Sequence, residues 1–130
     1  MLARMIVLVL LAAPGAAMAH HSFAMFDMQK DLELRGVASS FLWESPHSWL
    51  QVMVTDAGAA PTEWSIEMGA PGALYKRGLR ATSVKAGDKL TLVVHPLRDG
   101  RPGGSLVSVI LADGTKVQIG GGAGTPAGAK

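Results

Sequence analysis

The sequence predicts a mainly β domain: a small OB-like Greek-key β-barrel of five to six strands with one short helix between strands three and four. Segments that alternate apolar and polar residues recur along the chain, separated by turn residues. A single helix-like segment follows the third of them. This order is typical of a barrel whose helix closes one end between strands three and four. A small β-sandwich is the alternative, although it normally has no such helix.

The first three strands are predicted before the helix. "DLELRGVASSFLWES" is long, and its Gly36 indicates a bulge or a sharp bend. "SWLQVMVTD" alternates cleanly, as does "TEWSIEMG". The link "SPHS" between the first two strands is typical of a tight turn.

The helix and the remaining strands follow. "APGALYKRGL" has a proline near its start and a glycine near its end, the asymmetry of a short helix. "KAGDKLTLVVHPL" predicts a turn and then a strand, and "SLVSVILADGTKVQI" predicts a hairpin that turns at Asp113-Gly114. The side chains expected in the core are Leu50, Val52, Val54, Ile66, Leu90, Leu92 and Val94, with Leu74 of the helix over the barrel end.

The first nineteen residues have the three parts of a secretory signal peptide. Arg4 precedes an apolar run over residues 5–13, and small residues end at Ala17 and Ala19. The run is shorter than the roughly 20 residues that a membrane-spanning helix needs, which disfavours a retained anchor. We therefore expect cleavage after Ala19, with cleavage after Ala17 as the alternative, and a periplasmic mature protein without a membrane span.

Composition limits the mature chain to one small domain. Removing 19 of 130 residues leaves 111, and the formal charge falls from +2 to +1 with the loss of Arg4. This balance gives no reason to expect nucleic-acid binding. The chain has no cysteine, which excludes thiolate metal sites and cysteine nucleophiles. The predicted organisation is a signal peptide (1–19), a His-containing arm (20–30), a barrel (31–119) and a disordered Gly-rich tail (120–130).

Four segments together resemble a known family. "HHSFAMFD", "WESPHSWLQV", "WSIEMGAPGALYKRGL" and "VKAGDKLTL" are similar to short exported bacterial proteins grouped as domain of unknown function 6152. The similarity runs from His20 to about Ile119. It implies a periplasmic domain but carries no activity, cofactor or functional residue over to this chain.

His20 becomes a potential metal chelate if cleavage makes it the first residue. Its α-amine and its imidazole Nδ1 would then bind one ion in a six-membered ring, and both lose their protons readily near neutral pH. Nitrogen ligands in such an array favour Cu(II). A third nitrogen is expected from His47, with or without His21, because His47 lies in a loop between two tryptophans.

Each of these residues also has a simpler explanation. His47 could stabilise its turn by a hydrogen bond, and Trp43 and Trp49 could be packing residues. Met25 and Met28 could bind Cu(I) or belong to an apolar arm that packs on the barrel. His95 is expected to be an exposed histidine on an edge strand.

The function that these observations favour is a small periplasmic metal-binding protein, most consistent with copper, that holds or transfers the ion without catalysis. Its metal site is predicted at His20, His21 and His47, and its partner would be a metal donor or acceptor protein in the periplasm. The alternative is a metal-free OB-like module that uses Trp43 and Trp49 to bind a peptide, a saccharide or an envelope protein. A copper oxygenase is disfavoured by the small size of the domain. The sequence predicts no oligomeric state.

Processing can be tested directly. Mature protein from a periplasmic extract should begin at His20, because small residues occupy both recognition positions, Ala17 and Ala19. N-terminal sequencing or intact mass measures this. A chain that begins at Met18 would contradict the prediction and remove the α-amine chelate.

Overall fold

The computed structural model describes residues 21–122, with side chains from Phe23 onward. The predicted signal peptide, His20 and residues 123–130 of the predicted tail lie outside the described residues. In chain order the elements are α1 (His21–Ala24), β1 (Leu32–Leu42), β2 (Trp49–Val54), β3 (Thr62–Glu67), α2 (Pro71–Lys76), β4 (Lys89–Pro96), β5 (Gly103–Ile110) and β6 (Lys116–Gln118). Neither helix in this part of the chain is long and apolar enough to span a bilayer.

Five strands form a closed barrel. The hydrogen-bonded order is β3-β2-β1-β4-β5-β6, and a parallel pairing of β3 with β5 closes the first five strands into a ring. β6 pairs only with β5 and lies outside this ring. α2 lies between β3 and β4 in the chain. The predicted OB-like Greek-key barrel with one short helix is therefore confirmed over the sandwich alternative.

The core forms on the strand faces that the alternation predicted. Along β2 the burial pattern is strictly alternating, and the same alternation begins β4. The core of the barrel contains all the predicted positions: Leu50, Val52, Val54, Ile66, Leu90, Leu92 and Val94, together with Leu74 of α2. Burial of these side chains is the main source of stability in a chain without disulfides.

β1 pairs with β4 along its first half and with β2 along its second half, and the two pairings overlap at Gly36. This residue is paired with Val54 of β2 and also with Leu90 of β4. A Cβ atom at Gly36 would lie 2.5 Å from the carbonyl oxygen of Met53 and from a methyl group of Val52. The β-bulge of this strand falls later, between Ala38 and Ser40. Gly36 thus permits the close approach of two backbones at a corner of the barrel.

The β5–β6 hairpin confirms the predicted pairing but not the predicted two-residue turn. Ile110 pairs with Lys116, so the connection is longer. Gly114 adopts a positive φ of 86°, and Asp113 accepts a hydrogen bond from the Thr115 amide at 2.8 Å. Inside this pair the Leu111 amide donates to the Thr115 carbonyl at 2.9 Å, which leaves a three-residue loop, residues 112–114, that ends in a left-handed glycine.

Replacing Gly36 by Ala should destabilise the barrel by about 1–3 kcal/mol, because the new methyl group would overlap the backbone of β2. The matched control is Gly72→Ala in α2, where a Cβ atom would meet no other atom within 4 Å. Alanine favours helix over glycine, so the control should be neutral or stabilising by up to about 1 kcal/mol. Urea unfolding of both variants measures the difference, and equal midpoints would contradict the assignment.

Candidate functional site

The N-terminal arm is anchored on the barrel wall through Phe26. Its side chain is 4% exposed, and its backbone forms an isolated β-bridge with Leu97. On either side of it, the Asp27 amide donates to the Pro96 carbonyl at 2.8 Å, and the Met25 carbonyl accepts from the Arg98 amide at 2.9 Å. The arm therefore runs beside the end of β4. α1 directly precedes Met25 in the chain and therefore lies near the same part of the barrel.

The loop before β2 holds His47 against the end of β3. Ser48, next to His47, is fully buried, and its amide donates to the carbonyl of Gly69 at 3.1 Å. Its own carbonyl accepts from the Met68 amide at 2.9 Å. These two bonds continue the pairing of β2 with β3 beyond the ends of both strands. The peptide bond between Ser45 and Pro46 in this loop is cis. The backbone directly after His47 is thus held by hydrogen bonds to the segment after β3.

The imidazole of His47 is paired with the carboxylate of Glu67. Nδ1 lies 3.0 Å from Oε1, with 42% of the His47 side chain exposed but only 12% of the Glu67 side chain. Burial raises the pKa of Glu67, and the His47 imidazole opposes this shift. Nε2 of His47 has no hydrogen-bond partner among residues 21–122. In this arrangement Nδ1–H donates to the carboxylate, which leaves the Nε2 lone pair free for a ligand.

Glu67 is the site residue that the sequence did not assign. It ends β3, where it pairs with Trp49 of β2 and with Ser105 of β5. The only local signal was a charged residue between Ile66 and Met68, both of which are buried. That pattern does not reveal which side chain the carboxylate meets, because His47 approaches from another strand.

A small cavity separates the arm from the His47 loop. Its volume is about 100 Å³. It is lined by Phe23 and Phe26 of the arm and by His47, Glu67 and Met68 of the barrel. Phe23 is 64% exposed, although it lines this cavity. The structure thus brings the arm, two residues after His21, to the predicted ligand His47, while His20 and the His21 side chain lie outside the described atoms.

A second cavity of about 250 Å³ shares the lining residues Phe26 and Glu67 with the first. Its apolar walls are Met25, Phe26, Trp49 and Leu97, and the guanidinium-bearing Arg101 also lines it. Trp43 lines neither cavity. Its ring packs edge-on against Phe41, with the centroids 5.7 Å apart, and contacts the barrel core. The two tryptophans predicted as one ligand-binding pair therefore have different surroundings.

The prediction that His95 is exposed on an edge strand is wrong. β4 is hydrogen-bonded to both β1 and β5, and the His95 side chain is only 5% exposed. Its ring nitrogens bond to the carbonyl oxygens of Lys30 and Gly121. The alternation placed the residue on the outer face correctly, but segments before β1 and after β6 cover that face.

The described side chains do not by themselves form a metal centre. Among residues 21–122, no three His, Asp or Glu side chains converge closely enough to hold an ion. His47 offers one nitrogen, and its neighbour Glu67 is already bonded to that ring. Any metal site at His47 would need further ligands from the start of the arm.

Fold and site define a small OB-like β-barrel whose N-terminal arm packs beside a histidine–carboxylate pair at one end. The chain belongs to the family of unknown function DUF6152, whose family model matches residues 7–106. No curated protein and no solved structure matches the chain. The resemblance noted in the sequence is thereby confirmed.

Glu67→Gln tests the buried carboxyl group. Because burial raises the pKa of Glu67, the native chain keeps this proton to higher pH than the unfolded chain does. As the pH rises, the unfolded state loses its proton first, so the contribution of Glu67 to the free energy of unfolding falls. The stability of the parent relative to Glu67→Gln should therefore be greatest near about pH 4 and decline toward about pH 7. Urea unfolding across this range measures it, and a relative stability that grows with pH would contradict the assignment.

Proposed function

We propose that this protein is a small periplasmic copper-binding protein that holds or transfers the ion without catalysing a reaction. In the proposal, the signal peptide is removed after Ala19. The new N-terminus supplies the α-amine and the imidazole of His20, and His47 supplies a third nitrogen, with or without His21. A metal donor or acceptor protein in the periplasm is the expected partner.

The observation that carries the proposal is the shared cavity of the arm and His47. Phe23 and His47 line the same space of about 100 Å³. His20 precedes Phe23 by three residues, which span at most about 10 Å, and less where the chain is helical from His21 onward. This short separation supports a site shared by the mature N-terminus and the His47 ring. An arm directed to the opposite end of the barrel would have removed this possibility.

The pairing of His47 with Glu67 supports a role as a metal ligand. Histidines that bind metals commonly donate their second ring N–H to a carboxylate, which fixes the tautomer and makes the other nitrogen a better donor. Nδ1 of His47 has such a partner at 3.0 Å. One imidazole from His47 and two nitrogens from His20 would form the nitrogen-rich set that Cu(II) favours.

Exposure of the site supports holding and transfer. The His47 side chain is 42% exposed. Phe23, which lines the adjoining cavity, is 64% exposed. A partner protein could therefore approach an ion at this position. The adjoining space of about 100 Å³ is small for an organic substrate beside the metal.

The second cavity favours one alternative, a metal-free module that binds a peptide. Its walls of Met25, Phe26, Trp49 and Leu97 suit an apolar side chain. Ser65, Glu67 and Arg101 also line this cavity and can form hydrogen bonds with polar groups of the peptide. Trp49, but not Trp43, would contact the peptide.

Copper titration separates these functions. Correctly processed protein should bind Cu(II) in isothermal titration, and His20→Ala or His47→Ala should weaken binding by orders of magnitude. One residue added before His20 should have a similar effect, because it displaces the α-amine and leaves every side chain in place. Glu67→Gln should weaken binding about 10–100-fold through the orientation of His47.

Two variants serve as controls for the titration. Glu44→Gln makes the same chemical change in the loop before β2, at an exposed residue, and should leave copper affinity unchanged. Trp49→Ala alters the second cavity and should do the same. Unchanged affinity after the N-terminal extension would contradict the chelate. A processed parent that does not bind copper would leave the peptide-binding function as the one to test.

A further inference from the structure

A single buried imidazole connects the C-terminal end of the described chain to the start of β1. Nδ1 of His95 lies 2.9 Å from the carbonyl oxygen of Lys30 and 3.3 Å from Oδ1 of Asp31. Nε2 lies 3.0 Å from the carbonyl oxygen of Gly121. The side chain of His95 is only 5% exposed, so water does not compete freely for these contacts.

Both ring nitrogens of His95 face hydrogen-bond acceptors. Carbonyl oxygens accept hydrogen bonds and cannot donate them. A neutral imidazole has one N–H, so it would donate at one nitrogen and direct a lone pair at an oxygen atom from the other. A buried mismatch of this kind is costly. The imidazolium form donates at both nitrogens and satisfies every contact.

The surroundings of His95 compensate for a buried positive charge. The Asp31 carboxylate, 37% exposed, is the acidic group beside the ring. The neighbouring ammonium group of Lys30 is paired with Asp27 at 3.3 Å. From β5, the residue paired with His95 is Ser105, which is uncharged. A buried ion with an opposite charge and two further hydrogen bonds is the arrangement in which burial is tolerated.

We infer that His95 is a buried imidazolium that latches the C-terminal segment onto the barrel, and that loss of its proton releases this segment. Nδ1 faces a carbonyl and a carboxylate, so it is the nitrogen that retains a proton. Nε2 loses its proton, and its lone pair then opposes that of the Gly121 oxygen. The segment released is Gly120–Gly122, which follows β6. This inference uses none of the proposed copper ligands.

Two further contacts make release of the segment measurable. The amides of Ile119 and Gly120 both donate to the carbonyl of Val107, at 2.8 and 3.0 Å. A Cβ atom at Gly122 would lie 2.9 Å from Oδ2 of Asp31, so Asp31 contacts both the ring and the segment. Opening of the latch should expose the Gly120 amide to exchange while the barrel remains intact.

The test is nuclear magnetic resonance on the processed full chain. At acidic pH, both ring nitrogens of His95 should carry protons and donate hydrogen bonds. As the ring loses a proton at higher pH, the protection factor of the Gly120 amide should fall about tenfold, the effect of one hydrogen bond. Protection of the β2 amides should stay constant. A singly protonated ring at acidic pH, with Gly120 still protected, would overturn the inference.

Two variants make the result independent of any one substitution. In His95→Gln, protection at Gly120 should no longer depend on pH, because glutamine does not titrate. If this variant fails to fold, Asp31→Asn decides: removing the negative charge should shift loss of the His95 proton to lower pH, and release of Gly120 should shift with it. Release that stays at the parent's pH while the ring titration moves would show that His95 is not the latch.

Discussion

The parallel pairing of β3 with β5 is the constraint on which the rest of the structure depends. It joins Ser65, Ile66 and Glu67 to residues 103–105 and closes the ring of five strands. Glycine eases this approach, because a Cβ atom at Gly103 would lie 3.1 Å from the carbonyl oxygen of Ser65 in β3. Without the pairing, β3 and the first residues of β5 would be open edges, and the apolar faces of the strands would not enclose a common core.

The same closure creates the candidate site. It fixes Glu67 between β2 and β5, where the carboxylate is largely buried. There the carboxylate contacts His47, which lies in the loop before β2. The β4–β5 connection then provides the strand-like segment around Leu97 on which the arm docks through Phe26. The two cavities that Phe26 and Glu67 both line are therefore products of barrel closure and arm docking together.

The two ends of the described chain use different physical means to attach to the barrel. The arm is held by the burial of Phe26 and by backbone hydrogen bonds, which are insensitive to pH. The C-terminal segment is held in part by the ring of His95, whose hydrogen bonds depend on its protonation. The proposed copper site belongs to the arm and the proposed latch to the C-terminal segment, so the two can respond independently.

The strands, α2 and the core faces could be predicted from the sequence, because alternation in β2 and the proline–glycine pattern around α2 are local signals. The short helix α1, inside the predicted arm, was not predicted. The sequence also singled out His47 and Trp49, both of which line cavities at one end of the barrel. The contact of Glu67 with His47 and the burial of His95 could not be predicted from the sequence. Periodicity specifies which way a side chain points, whereas its neighbours come from strands and segments that are distant in the chain and are brought together only when the barrel closes.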